Sequence, residues 1–539
     1  MKPMMLNVIS SAIILAGNGT VMASDSVRLV ATLQGEMPGD HLGGSMAGVG
    51  DVDGDGLADF LVGDSRDGWH PGERRCHLFF GKPHLSSVPD VVLEQPEVYS
   101  YEGRIYDDMF GAVVDGGKDI NGDGLDDFVI TSPEWFWATG KVYLYHGGSF
   151  PPDECPAIGI AGFGSSWMTL FWATQLRGVL VADVNMDGYG ELACLVGEAT
   201  RDVGAYVYFG GAPMDSVHDL GLQGEPDFSV ILGASLASGD LNGDDYDDIV
   251  VGAYANFPHS DDAAWVFWGG PDPACSPGLR LKGGHDCDIF YRVCIPGDMN
   301  GDGYDDLVVG DSGGHPPWYR IYLGGEPMDS VPAVVWRGQV TGTVSLAGGD
   351  LNNDGFADLI AVEESHPGGT CVATVLVFFG GTALDSIPDV TYEVTFLAED
   401  SGDLGLVWIG DATGDGYAEF ALANPGFGGW ARPRGEIYIY TMGPVSAVPS
   451  EVARALTVRI APNPAAGQAV VSFSVSRSER IRLGAYDPGG RRAGLLCDGL
   501  FTKGSHSIHW DTRGLSSGVY LIRLETETGT DSRRVVVGR

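Results

Sequence analysis

The stretch that decides the fold is DVDGDGLAD, running from Asp51 to Asp59. Six further segments align with it without gaps: DINGDGLDD from Asp119, DVNMDGYGE from Asp183, DLNGDDYDD from Asp240, DMNGDGYDD from Asp298, DLNNDGFAD from Asp350 and DATGDGYAE from Asp411. Successive starts lie 68, 64, 57, 58, 52 and 61 residues apart, the length of a four-stranded unit with its loops. The flanks repeat as well. A small-and-apolar run precedes each segment (LGGSMAGVG, FGAVVDGGK, LGASLASG), and an apolar strand follows it (FLVGD, FVITS, IVVGA, LVVGD). After a variable loop comes an alternating run that mostly ends in glycine, as in CHLFFG, KVYLYHGG, AYVYFGG, AWVFWGG, RIYLGG, VLVFFGG and EIYIY. Several repeats continue into a second shared phrase, PMDSVHDL, PMDSVPAVV or ALDSIPDVT. Each repeat therefore reads as four short strands, with the acidic nonapeptide as the turn between the first two. This is an all-β pattern, and residues 24–442 are expected to form a seven-bladed β-propeller. Repeat seven runs out at Tyr440 without an outer strand, while SVRLVATLQG, residues 26–35, precedes repeat one. Lending that strand to the seventh sheet would close the ring and leave no open edge.

The nonapeptides have the chemistry of calcium loops. Calcium takes about 6–8 oxygen ligands at roughly 2.3–2.6 Å, and alternate positions of a tight loop can aim oxygens inward. Position one supplies Asp51, Asp119, Asp183, Asp240, Asp298, Asp350 and Asp411; position three supplies Asp53, Asn121, Asn185, Asn242, Asn300, Asn352 and Thr413. Position five supplies Asp55, Asp123, Asp187, Asp244, Asp302, Asp354 and Asp415. Backbone carbonyls at position seven follow, from Leu57, Leu125, Tyr189, Tyr246, Tyr304, Phe356 and Tyr417. The carboxylates of Asp59, Asp127, Glu191, Asp248, Asp306, Asp358 and Glu419 close the shell at position nine. Glycine at position six permits the positive φ of a sharp turn; repeat four has Asp245 there. Up to seven structural Ca2+ ions are expected. For any single loop, the alternative is an Asx-rich turn that holds no metal.

Charge supports the assignment. The chain has 31 Lys+Arg against 73 Asp+Glu, a net of −42, which disfavours a nucleic-acid partner. Loop positions one, three, five and nine account for 22 of those 73 carboxylates. Chain composition changes near residue 450: Arg454 to Arg539 carries a net of +6, leaving −48 for the rest. Residues 443–455 read as a linker, and residues 456–539 as a small β-sandwich. At the start, Lys2 and an apolar run from Leu6 to Ala16, with small residues at Val21 and Ala23, predict a signal peptide over 1–23. No later run is long enough to span a membrane as a helix. Eight scattered cysteines show no CxxC pair; a local Cys287–Cys294 bridge is the one pairing that the spacing suggests.

The loops between second and third strands are neither short nor uniform, and they lie opposite the nonapeptides. They carry Trp69, His70, Trp135, Trp137, Phe257, His259, Trp318, Trp430 and Arg432, a set suited to sugar stacking or to a protein hot spot. The alternative is that individual tryptophans fill gaps between blades. No HExxH, GxSxG or Walker motif occurs, and the twelve histidines are dispersed.

With these residues in view, the repeats resemble FG-GAP repeats, the blades of the integrin α-subunit propeller. Phe110-Gly111 matches the first signature, and Gly252-Ala253-Tyr254 approximates the second. The C-terminal module resembles the sorting domain of type IX secretion cargo, through APNPAAG at Ala461, YDPGGRRAG at Tyr486, WDTRGLSSGVYLIRL at Trp510 and the basic end RRVVVGR. The resemblance implies export through a secretion and sorting machinery, to the cell surface or the medium. The expected function is a calcium-binding surface or adhesion protein without catalytic activity, recognising a protein or glycan. The competing reading is an exported polysaccharide- or ester-cleaving enzyme on the same scaffold.

Overall fold

The protein is described here from a computed structural model. It describes residues 27–35, 40–64, 75–96, 99–101, 104–106, 110–132, 140–148, 158–163, 176–196, 205–212, 214–223, 230–255, 263–282, 291–311, 316–339, 344–366, 371–396, 404–426, 435–442, 458–461, 465–475, 479–486, 491–501, 504–525 and 530–538. The expected signal peptide and linker lie outside these residues. Two compact units emerge, Met1–Pro444 and Val445–Arg539. Among the described residues every regular element is a strand.

Among the described residues, the first unit is a β-propeller with seven four-stranded antiparallel sheets and one short pair, Tyr99–Tyr101 with Arg104–Tyr106. The innermost strands are Leu42–Gly50, Val114–Lys118, Leu176–Ala182, Val230–Gly239, Tyr291–Gly297, Val344–Gly349 and Gly405–Gly410. Each packs beside the next, and the last returns to the first, so the ring is closed. They surround an axial cavity of about 710 Å³, whose wall includes Asp115, Val181, Ser238, Cys294, Leu346 and Trp408. Desolvation pushes the thiol of Cys294, half-buried in this wall, up to about 12. Its suggested bridge partner, Cys287, lies outside the described residues.

Every second strand begins on the ninth residue of its nonapeptide: Asp59–Asp64, Asp127–Ser132, Glu191–Val196, Asp248–Ala255, Asp306–Asp311, Asp358–Ser365 and Glu419–Asn424. DFLVGD, DFVITS, DLVVGD and EFALAN are buried at every position, because a strand covered on both faces has no polar side to alternate with. Closure follows the sequence expectation. Arg28–Gln34 pairs antiparallel with Glu436–Thr441 as the outer strand of the last sheet, Thr32 opposite Tyr438. The repeated DSV and DSI phrases form Asx turns, in which Asp215, Asp329 and Asp385 accept the N–H two residues on at 2.7, 3.0 and 2.7 Å.

The second unit is a sandwich of a three-stranded and a five-stranded sheet. Its core is apolar, with Val471, Phe473, Ile481, Leu483, Ile522, Leu524 and Val535 almost inaccessible.

Candidate metal centres on one face of the propeller

All seven nonapeptides share the bond from the position-seven N–H to the position-five carboxylate, and six of them, all but repeat three, also fold positions five and six onto the position-one carboxylate. In repeat one, Asp51 accepts the N–H groups of Gly54, Asp55 and Gly56 at 2.7, 3.0 and 2.8 Å. Asp53 Oδ1 accepts from Asp55, and Asp55 Oδ1 from Leu57, at 3.1 and 2.9 Å. Repeat two reproduces all five bonds through Asp119, Asn121 and Asp123. Carboxylates at positions one, three and five are thereby drawn together. The oxygens of Asp51, Asp53 and Asp55 come within 4.8 Å of one another, and so do those of Asp183, Asp187 and Glu191.

Two features of the turn were not read from the sequence. Position four is left-handed as well as position six: Gly54, Gly122, Gly243, Gly301 and Gly414 have φ between +70° and +81°. Met186 and Asn353 adopt φ 54° there, and Asp245 adopts 71° at position six. Glycine at position four in five of the seven copies was the available signal. The reason for it is visible in the next repeat. The position-seven side chain lies over it, so that a Cβ on Gly122 would stand 2.4 Å from Tyr189 Cε1 and one on Gly301 2.4 Å from Phe356 Cε1. The carbonyls expected as ligands thus belong to residues whose side chains lock neighbouring loops together.

Position nine also has a second role. Asp59, Asp127, Glu191, Asp248, Asp306, Asp358 and Glu419 are at most 1% exposed. Asp59 takes the N–H of Val52 at 2.9 Å and of Gly81 at 2.7 Å; Asp248 takes those of Leu241 and Gly269 at 3.0 and 2.8 Å. The carboxylate ties the loop to the end of the third strand. Burial, only partly offset by these bonds, pushes Asp59, Asp248, Asp306, Asp358 and Glu419 up to about 7, and Glu191 to about 8. Asp127 carries His146 Nδ1 at 3.2 Å, and this hydrogen bond raises the imidazole above its ordinary value.

Position eight joins the loops into a belt. In six of the seven repeats its backbone N–H donates to the position-one carbonyl of the preceding repeat: Asp126 to Asp51, Gly190 to Asp119, Asp247 to Asp183, Asp305 to Asp240, Ala357 to Asp298, and Ala58 of repeat one to Asp411 of repeat seven. Where position eight is Asp, its side chain returns the bond. Asp126, Asp247 and Asp305 accept the N–H of Asp51, Asp183 and Asp240 at 2.8, 2.9 and 3.0 Å.

The donor set suits a hard divalent cation. Every side-chain donor in the loops is oxygen. Asp183 Oδ1 and Asn352 Oδ1, at positions one and three, are buried and have no hydrogen-bond donor among the described residues. Buried acceptors lacking donors are costly unless something else satisfies them, and a cation among these oxygens would do so.

The opposite face is described only in part. Trp69, His70, Trp135, Trp137, Phe257, His259, Trp430 and Arg432 lie outside the described residues. Trp318 opens a third strand; its backbone N–H donates to Asp311 at 2.8 Å, and its ring lies 5.6 Å from the Arg337 guanidinium.

Comparisons agree with this architecture. Residues 110–145 and 232–267 match the FG-GAP repeat, and residues 298–361 the FG-GAP-like repeat. Residues 459–538 match the secretion system C-terminal sorting domain. The chain carries FG-GAP repeats and a C-terminal sorting domain. Integrin alpha-5 of Xenopus laevis is 29% identical over 269 residues, covering 45% of this chain and 22% of the relative. Integrin alpha-6 of Gallus gallus is 34% identical over 143 residues, covering 24% of this chain and 13% of the relative. The chain thus spans less than a quarter of the length of either relative. A solved structure of PorZ, a bacterial surface component of the type-IX secretion system of Porphyromonas gingivalis, aligns over 93% of this chain and 60% of its own at 12% identity, with a TM-score of 0.35. That likeness is too distant to bear on function. The sorting domain indicates export, with cell-surface or secreted placement. Among the described residues no helix is long and apolar enough to cross a membrane.

Proposed function

We propose that the protein is a calcium-loaded surface binding protein: its nonapeptide loops hold structural Ca2+, and its opposite face engages a protein or glycan. The observation that carries the calcium reading is the set of buried loop oxygens. Three carboxylates converge in repeats one and three, and two buried loop oxygens lack a donor among the described residues. Calcium would satisfy them and keep the position-nine groups ionised. Asp51, Asp53, Asp55 and Asp59, with their equivalents, would hold the ions, which supply charge compensation and rigidity to the turns. The binding reading draws on the contrast between a uniform loop face and an irregular opposite rim rich in aromatic residues, and on the integrin-like repeats.

Two measurements test it. Calorimetric titration of the full chain should detect several calcium equivalents, and no binding would remove the first half. A glycan and matrix-protein array with calcium-loaded chain tests the second half. Binding lost in Trp135→Ala and Trp430→Ala, with calcium uptake unchanged, supports it; an array without any ligand overturns it.

A further inference from the structure

At the far end of the sixth sheet stands a cluster of different chemistry. Strand Asp358–Ser365 leaves its acidic loop and runs eight residues to the opposite face, roughly 23 Å away at 3.3 Å per residue. There it turns into Cys371–Phe378, with Ser365 opposite Val372. One step further along this register, His366 faces Cys371. The two-residue period then puts Glu364 on the same side of the sheet. Three donors meet as a result: His366 Nε2 lies 3.0 Å from Glu364 Oε1, Cys371 Sγ lies 3.5 Å from the same oxygen, and all three atoms fall within 4.8 Å. Glu363, its side chain on the other face, is engaged elsewhere, accepting from the Tyr319 hydroxyl and the Gln339 N–H.

We propose that Glu364, His366 and Cys371 form a zinc site. A thiolate, an imidazole and a carboxylate are the borderline-soft set that zinc takes and calcium refuses. The spacing agrees with a tetrahedral ion: bonds of about 2.0–2.3 Å imply edges of roughly 3.3 Å from oxygen to nitrogen and 3.5 Å from oxygen to sulfur. Burial shapes the site. Cys371 is 0% and Glu364 3% exposed, while the His366 side chain is 50% exposed. Cys371 packs in an apolar cluster with Phe396, Leu404 and Leu422, which shields the thiol side and leaves the fourth position facing solvent. Such a site is independent of the acidic loops at the other end of the strand.

Cobalt(II) reads thiolate ligation directly. Added to the calcium-saturated full chain, it should produce a thiolate-to-metal charge-transfer band, displaced by one equivalent of zinc. Cys371→Ala should abolish the band. His366→Ala, at a half-exposed position, should weaken zinc at least tenfold in competition with a chromophoric chelator. Cys275→Ala, which removes an exposed free thiol, should change neither. The proposal is overturned by absence of the band, by a band that survives Cys371→Ala, by unchanged zinc affinity in His366→Ala, or by loss on Cys275→Ala.

Discussion

The two units solve the same problem with different materials. The C-terminal sandwich encloses an apolar core: its core cluster is built of apolar and aromatic side chains, and Thr512 is its one buried polar residue among those described. The propeller has apolar clusters between its sheets but also buries one carboxylate per repeat at the root of every second strand. An apolar core keeps its value whatever the ionic composition. A core containing carboxylates has a stability set by what neutralises and hydrogen-bonds them.

Chelation gives the widest separation between the units. A loop that binds calcium as proposed would contribute roughly 2.7 kcal/mol at a hundredfold excess of free calcium over Kd. Scanning calorimetry of the full chain with and without chelator should therefore move the propeller transition strongly downward and leave the sandwich transition in place. Joint movement of the two, or none, would break the comparison.

Single substitutions sharpen it. Asp306→Ala strands the N–H groups of Met299 and Gly324, each at 3.0 Å in the native loop. At about 1–3 kcal/mol per buried unsatisfied group, the loss should be on the order of 2–6 kcal/mol by denaturant unfolding, and smaller in chelator if the loop binds calcium as proposed. Ile522→Ala in the sandwich should cost about 2–5 kcal/mol and show the same value with and without calcium. Asp126→Ala removes one seam bond, that from the Asp51 N–H, and should cost about 1–3 kcal/mol. A negligible change there would mean that the backbone belt holds the seam unaided.

The smallest effect separates buried acids in general from those of the loops. Asp115 lies in the cavity wall, outside the nonapeptides, and accepts the Val181 N–H at 2.9 Å. Burial raises it from 3.8 to about 7. The folded chain therefore holds this proton to higher pH than the unfolded chain. Its favourable contribution is present below about pH 4 and fades as pH rises toward 7. Asp115→Asn should flatten stability across that window to the same extent with or without calcium. An unchanged slope would return Asp115 to the ordinary carboxylates.

Much of this was legible in the chain. Seven in-phase copies of a nine-residue turn demanded seven similar units, and the missing outer strand of the last one pointed to Arg28–Gln34. Aspartates at alternate positions announced the convergence of acidic groups seen in repeats one and three. Three things escaped. Position four needs glycine because Tyr189, from the following repeat, occupies the space above Gly122. The aspartates at position eight look like further loop acidity, yet Asp126, Asp247 and Asp305 bind the backbone of the neighbouring repeat. Cys371 read as one more scattered thiol, since its partners became visible only through strand register.

The sequence by itself determined the all-β repeat architecture, the donor types in each loop and the division between an acidic and a basic unit. These follow from local periodicity and from residue chemistry within nine-residue windows. Only the tertiary structure decided which loop clasps which, which carboxylates are buried, and where a histidine, a cysteine and a glutamate meet. Those depend on contacts between groups that chain connectivity leaves apart and that packing alone brings within bonding distance.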